Sequence, residues 1–133
     1  MDALSDQIQY CLTFNEPQIF VGHGYQIGEH APFEKLPQKE IQAISRNVML
    51  AHGKAVRIIR KYAKTLPQVG VASTCDMLLP VDGDEEKAYC ATFDCTRNGV
   101  YNPAWWCDPM LSGRAPNGCD WLSKQDLKEI VYE

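Results

Sequence analysis

From Gln38 to Leu66 the chain reads QKEIQAISRNVMLAHGKAVRIIRKYAKTL, and the periodicity of this stretch decides the fold. Ile41, Ile44, Val48, Ala51, Ala55, Ile59, Tyr62 and Leu66 recur at steps of three and four, the spacing of one stripe along an α-helix. Arg57, Arg60, Lys61 and Lys64 crowd the final turns. There positive charge suits the negative end of the helix dipole, and the cluster reads as a solvated outer face. Pro67 forces the exit. Upstream, Gln7–Phe14 (QIQYCLTF) is rich in β-branched and aromatic residues and reads as a strand. It stops at Asn15-Glu16-Pro17, because Pro17 has no N–H for a ladder and restricts Glu16 to extended backbone. Downstream, Val69–Ala72 (VGVA) reads as a short buried strand. Strand, long helix, strand is a βαβ unit with parallel strands, so the fold class is α/β.

The flanking segments are less regular. Gln18–Pro37 holds three glycines and two prolines and reads as an irregular loop, with room for one helical turn at its start. Asp84–Asp94 suits a second helix. Thr96–Asp120 mixes glycine, proline and tryptophan without a period and reads as loop. Ser123–Tyr132 reads as a last short helix capped by Ser123, with Asp126 fitting the capping-box pattern only loosely.

A length of 133 residues allows one domain at most, with an ordinary 45% of hydrophobic and 23% of charged residues. The net charge of −4 points to no nucleic-acid partner. The N-terminus has no signal-peptide pattern and no apolar run is long enough to span a membrane, so a cytoplasmic location is expected. Cys11, Cys75, Cys90, Cys95, Cys107 and Cys119 include no Cys-x-x-Cys pair and no histidine at zinc-ligand spacing. They are expected to be reduced, mostly buried thiols, and neither a metal nor another cofactor is expected. Asp82, Asp84, Glu85 and Glu86 lack the spacing of a calcium loop and read as a solvated helix start.

The strand end carries the candidate chemistry. A carboxylic acid at the C-terminal tip of a parallel strand, as at Glu16, is where α/β proteins place their sites. Asn15 beside it offers a donor and an acceptor. Alone, Asn-Glu-Pro also suits a plain turn after a strand. The surroundings add to it. Tyr10–Pro17 (YCLTFNEP) resembles the Thr-(Phe/Leu)-Asn-Glu-Pro signature of family-one glycoside hydrolases, the β-glucosidase family. Gly24–Pro32 (GYQIGEHAP) is similar to that family's Gly-Tyr…Gly…Ala-Pro loop, and Arg46–Val56 (RNVMLAHGKAV) to its Asn…Leu-Ala-His-x-x-Ala-Val helix. Val69-Gly70-Val71 matches the strand that follows. Trp105–Pro109 (WWCDP) with Gly113 and Pro116 resembles its Trp-x-x-Asp-Pro…Gly-x-x-Pro segment. The five blocks stand in order and cover residues 7 to 130.

The resemblance implies a partial (β/α)8 TIM barrel, with residues 1–133 a single fragment running from about the fourth strand to the fifth helix. It implies a retaining β-glycosidase acting on a small β-glucoside, β-galactoside or 6-phospho-β-glycoside. Glu16 would protonate the departing aglycone and then take a proton from water, while Asn15 would hold the sugar's 2-hydroxyl. The second carboxylate of that mechanism belongs to a later Thr-Glu-Asn-Gly type of motif, which is not in this sequence. The chain alone is therefore expected to be inactive, and a truncated, inert or weakly sugar-binding domain is the alternative. Three positions depart from the family pattern: Cys11 where Trp is frequent, Thr74 where an Asn usually ends the fifth strand on the aglycone side, and Ala115 where Tyr is usual. His52 is expected to be a structural, hydrogen-bonded histidine, Trp105 and Trp106 to pack, and His23 and His30 to lie in the loop beside the site.

Overall fold

The computed structural model describes residues 4–74 and 76–131, with the backbone alone at residues 97–98. Tyr132 in the expected last helix, and the thiol of Cys75, lie outside the described residues. Strand β1 is Tyr10–Asn15 and strand β2 is Gln68–Ala72, and the long helix α2, Gln38–Tyr62, connects them. The strands pair in parallel, Tyr10 opposite Gln68 and Leu12 opposite Gly70, with an irregularity before Asn15 meets Ala72. The expected βαβ unit is thus present. Short helix α1, Pro17–Val21, and a π-helical turn, Gly22–Ile27, follow β1. After β2 come α3 (Glu85–Phe93), α4 (Cys95–Asn98), a 3-10 turn (Gly99–Tyr101), α5 (Pro103–Ser112) and α6 (Lys124–Ile130).

The core lies on one face of the strand pair. Val21, Ile41, Met49, Val100, Trp106 and Ile130 are fully buried, with Trp105 beside them. Along β1 the side chains alternate: Cys11 and Thr13 are partly covered, while Tyr10 and Leu12 are 72% and 61% exposed. Parallel strands are normally covered on both faces. Here helices cover one, which is why β2, expected to be buried, is only half-buried.

The α2 seam differs from the expected stripe. Ile41, Ser45, Met49, His52, Gly53 and Val56 are buried, whereas Ala51 is exposed and Ile44 and Val48 lie at the margin. The helix is turned so that Gly53 meets α6. A Cβ at Gly53 would stand 2.1 Å from the Glu129 carbonyl oxygen. Two polar anchors share the seam, His52 toward β1 and Arg46, whose guanidinium donates to Asp126 Oδ1 at 2.5 Å. The helix also ends at Tyr62 rather than Leu66. Ser5, fully buried, holds the exit: Lys64 N–H donates to its hydroxyl at 3.1 Å and Thr65 Oγ1 to its carbonyl at 2.8 Å. Leu66 is left 82% exposed.

The helical turn expected at the start of Gln18–Pro37 is present and, beyond the π-helical turn that extends it, the rest of that stretch is irregular, whereas Thr96–Asp120, expected as loop, is largely helical. Pro17 ends β1, as expected, but also occupies the first position of α1, where a missing N–H costs nothing. Pro103 does the same for α5, behind Asn102 as N-cap, whose Oδ1 accepts from Ala104 N–H at 2.9 Å. Gly113, at φ 63°, closes α5 in the left-handed conformation. Between them Pro103, Ala104, Trp105, Trp106, Pro109 and Met110 are all buried, and Cys107, Asp108, Leu111 and Ser112 make a narrow uncovered side on which the apolar Leu111 is itself exposed, so the helix shows little polar periodicity. The Trp pair packs, as expected. Trp106 Nε1–H donates to the Val100 carbonyl at 2.7 Å, and Trp105 lies against Trp121 with ring centres 4.7 Å apart.

The smaller expectations are met in part. Asp84 caps α3 by accepting from Lys87 N–H, and Glu85 and Glu86 fill its exposed first turn. Ser123 and Asp126 form a full capping box at α6, tighter than the sequence spacing suggests. The five described cysteines are free thiols, but Cys95 and Cys119 alone are buried; Cys11 and Cys107 are half-buried and Cys90 is exposed. Cys90 is uncovered because it lies on α3, along which Thr92 is the one buried residue. Among the described residues no helix is long and apolar enough to cross a membrane.

Candidate active site

Glu16 sits where β1 gives way to α1. Its backbone N–H continues the strand ladder to the Ala72 carbonyl at 2.7 Å. Its own carbonyl accepts from Ile19 N–H at 2.9 Å and starts the helix. To serve both, the residue adopts φ 46° and ψ 62°, the left-handed region, rather than the extended backbone expected before Pro17. For a residue with a side chain this costs of order 1–3 kcal/mol, and such strain persists where its surroundings over-determine it. The carboxylate makes no side-chain hydrogen bond across the helix start and is half-buried. Asn15, beside it, is exposed. Both expected site residues therefore stand together at the C-terminal end of β1.

The strand that carries them is clamped from behind. Thr13 Oγ1 lies 2.6 Å from His52 Nδ1 and 3.2 Å from the Gly70 carbonyl. Burial lowers the His52 pKa, opposed by a hydrogen bond with the Met110 backbone. The buried imidazole is therefore neutral. The imidazole is held on one side by the Met110 backbone and on the other by Thr13, whose hydroxyl also donates to the Gly70 carbonyl. His52 is thus a structural residue, joining β1, α2 and α5.

A cleft of about 210 Å³ opens at the same end of the strands, lined by Gln18, Ile19, His23, Thr74, Asp76 and Tyr101. Gln18, buried in α1, fixes its floor. Its Nε2 donates to the Thr74 carbonyl at 2.8 Å and to the Thr74 hydroxyl, and Ser73 Oγ donates to its Oε1 at 3.4 Å. Thr74 thus ties the end of β2 to α1. On the other wall His23 stacks on His30 with ring centres 4.9 Å apart and contacts the edge of Tyr101 at 5.8 Å. His23 Nδ1 lies 3.1 Å from Glu29 Oε2. Tyr101 packs flat on Gly22, where a Cβ would meet its hydroxyl at 2.4 Å. Burial, then the nearby Glu29 charge, raises the Tyr101 pKa, so the phenol stays protonated. The lining offers a ligand the Asp76 carboxylate, the Thr74 hydroxyl and the aromatic wall of His23 and Tyr101, while Glu16 and Asn15 are not part of it. Among the described residues no group of three or more His, Cys, Asp or Glu could hold a metal ion.

Sequence reasoning placed Glu16, Asn15, Thr74, His23 and His30 at this end. It missed Gln18, Asp76 and Tyr101 as cleft residues. Asp76 had a readable signal, since it stands four residues past the end of β2, in the loop at the carboxyl end of a strand. Tyr101 had none, because its place depends on the 3-10 turn bringing it back onto Gly22.

The family model described as glycosyl hydrolase family 1 matches residues 1–131. The chain is 30% identical over 129 residues to beta-glucosidase A of Acetivibrio thermocellus, covering 97% of this chain and 28% of that protein. It is 27% identical to the human lactase-like protein, over 96% of this chain and 23% of the relative. Among solved structures, the virulence factor SghA of Agrobacterium tumefaciens superposes over the whole chain with a TM-score of 0.74 at 26% identity. A Thermotoga maritima β-glucosidase in complex with noeuromycin superposes over 97% of the chain with the same score at 22% identity, and shares the fold. The chain spans about 30% of each of these two structures. With its model matched over nearly every residue, the chain belongs to glycosyl hydrolase family 1.

Proposed function

We propose that this chain is the acid/base segment of a retaining β-glycosidase, a single piece of a (β/α)8 barrel running from about its fourth strand to its fifth helix. The observation that carries the reading is Glu16. It is a carboxyl group at the tip of a parallel strand, held by backbone at both sides in a left-handed conformation, next to an exposed Asn15. The uncovered outer face of β1, with Tyr10 and Leu12, supports the barrel reading, since that face would be lined by further strands.

In this reading Glu16 donates its proton to the glycosidic oxygen as the aglycone leaves, and its carboxylate then accepts a proton from the water that releases the sugar. Asn15 hydrogen-bonds the 2-hydroxyl, a contact that strengthens in the transition state. The nucleophile comes from a strand outside these residues. The substrate class is a small β-glucoside or its 6-phosphate. The test joins the chain to the missing strands and compares Glu16→Gln with wild type on two aryl β-glucosides. Hydrolysis of the one with the poor leaving group should fall at least about 100-fold, the usual scale of general acid catalysis, and that of the activated one much less. Equal losses on both would refute the acid role.

A further inference from the structure

Three glutamines gather at a second cleft, of about 280 Å³, apart from the one lined by Gln18 and Tyr101. Gln38 and Gln42 stand four residues apart at the start of α2, on one helix face. Gln26 belongs to the π-helical turn Gly22–Ile27, which also supplies His23 to the first cleft. The wall also holds Thr96, Gly99 and Trp105. Gln38 Nε2 lies by Gly99, 3.6 Å from where a Cβ there would stand. The Thr96 hydroxyl donates to Asp94 Oδ1 at 2.6 Å and keeps its lone pairs to accept. Gln18 and Gln125 spend their amides on protein partners, Thr74 and Glu129. Among the described residues the amides of Gln26, Gln38 and Gln42 have no such partner. No charged side chain of the described residues lines the cleft, in a chain that is 23% charged.

From this cluster of unspent amides we infer that the cleft is a binding site for one neutral sugar ring, separate from Glu16. Each glutamine amide carries an acceptor and two donors, and each sugar hydroxyl is donor and acceptor at once, so the two pair in both directions. A charged ligand would leave water here without meeting a counter-charge. An apolar ligand would strip water from the amides and return no hydrogen bond. Trp105 is 2% exposed and offers no face for stacking, so hydrogen bonds, not an aromatic platform, hold the ring. The volume suits a single ring, since it falls just below the roughly 300–1,000 Å³ of pockets that enclose drug-sized ligands. The site makes no use of Glu16, so it stands whether or not the acid/base reading does.

The test titrates the purified chain with methyl β-glucoside and follows its amide signals by two-dimensional NMR. The side-chain amides of Gln26, Gln38 and Gln42 and the backbone amides of Gly99 and Gly118 should shift together and saturate. A dissociation constant of about 1 mM is expected, from about a dozen non-hydrogen atoms at ordinary ligand efficiency. Gln38 is exposed and Gln42 half-buried, and leucine is a good helix former, so Gln38→Leu and Gln42→Leu should both fold. Each should weaken binding by about 10-fold, the effect of losing one well-made hydrogen bond. No saturating shift at these residues, shifts confined to Gln18, Thr74 and Tyr101, or unchanged affinity in both variants would overturn the assignment. So would shifts produced by inorganic phosphate and not by the glucoside, which would make the start of α2, without a side-chain cap, an anion site instead.

Discussion

Replacing Gly53 with alanine sets two physical effects against each other. Gly53 lies within the 25-residue helix α2, where alanine is favoured over glycine by about 1 kcal/mol of helix propensity. The new Cβ, however, would stand 2.1 Å from the Glu129 carbonyl oxygen, 2.7 Å from the Ile130 oxygen and 2.9 Å from Ile130 Cα. All three are backbone atoms of α6, so no rotamer change relieves the clash. Ordinary contact begins near 3.4 Å, which requires α6 to retreat by more than 1 Å. That retreat pulls Ile130 from full burial and stretches the Arg46–Asp126 hydrogen bond. Overpacking costs typically 1–3 kcal/mol, and a weakened charge-assisted hydrogen bond adds to it. The net expectation is a loss of about 2 kcal/mol in Gly53→Ala. Urea unfolding followed by circular dichroism reads this as a lower midpoint at unchanged slope. A stabilisation of about 1 kcal/mol, as propensity alone dictates, would refute the close α2–α6 packing.

Two other perturbations follow from the same contacts. Asn102→Ala removes the α5 cap and leaves the buried Thr92 carbonyl, which accepts from Asn102 Nδ2 at 2.7 Å, without its donor; a loss of about 2–3 kcal/mol in the same urea assay is expected. Stability should also fall with acid in two windows. His52 has a lowered pKa in the folded chain, so the unfolded state binds more protons and stability drops as pH falls through about 6.5; His52→Gln should abolish this first window. Asp126, held at about 2 chiefly by the Arg46 hydrogen bond and then by Ser123, contributes stability that is full above its ordinary 3.8 and lost as pH falls toward 2. Asp126→Asn should remove that second window in melting scans at stepped pH.

The βαβ unit was legible because its signals are local. Pro67 bounds the helix, and the step-three-and-four pattern of Ile41 to Ile59 survives any rotation of the helix. The orientation of that helix was not legible, because Gly53 and Ser45 are buried for what they permit: a close α6 backbone and a tight seam. α5 was hidden for the opposite reason. Mostly buried, with the apolar Leu111 on its exposed side, it has only Asp108 and Ser112 to mark a period, and its two prolines read as breakers although one starts the helix. Glu16 and Asn15 were legible as a pair at a strand end. The left-handed backbone at Glu16 was not, since the extended preference before Pro17 is overridden by two hydrogen bonds, to Ala72 and from Ile19. The cleft residues Gln18 and Tyr101 depend on contacts across 56 and 79 residues, which no local pattern carries.

In the proposed reaction Glu16 supplies acid/base chemistry while the nucleophile lies outside residues 1–133. The measurement that tests it most directly is the hydrolysis of an activated aryl β-glucoside by the purified 133-residue chain, beside its Glu16→Gln variant. The same background rate is expected from both. Turnover by the chain that disappears with Glu16→Gln would contradict it, because a complete site would then exist within these residues.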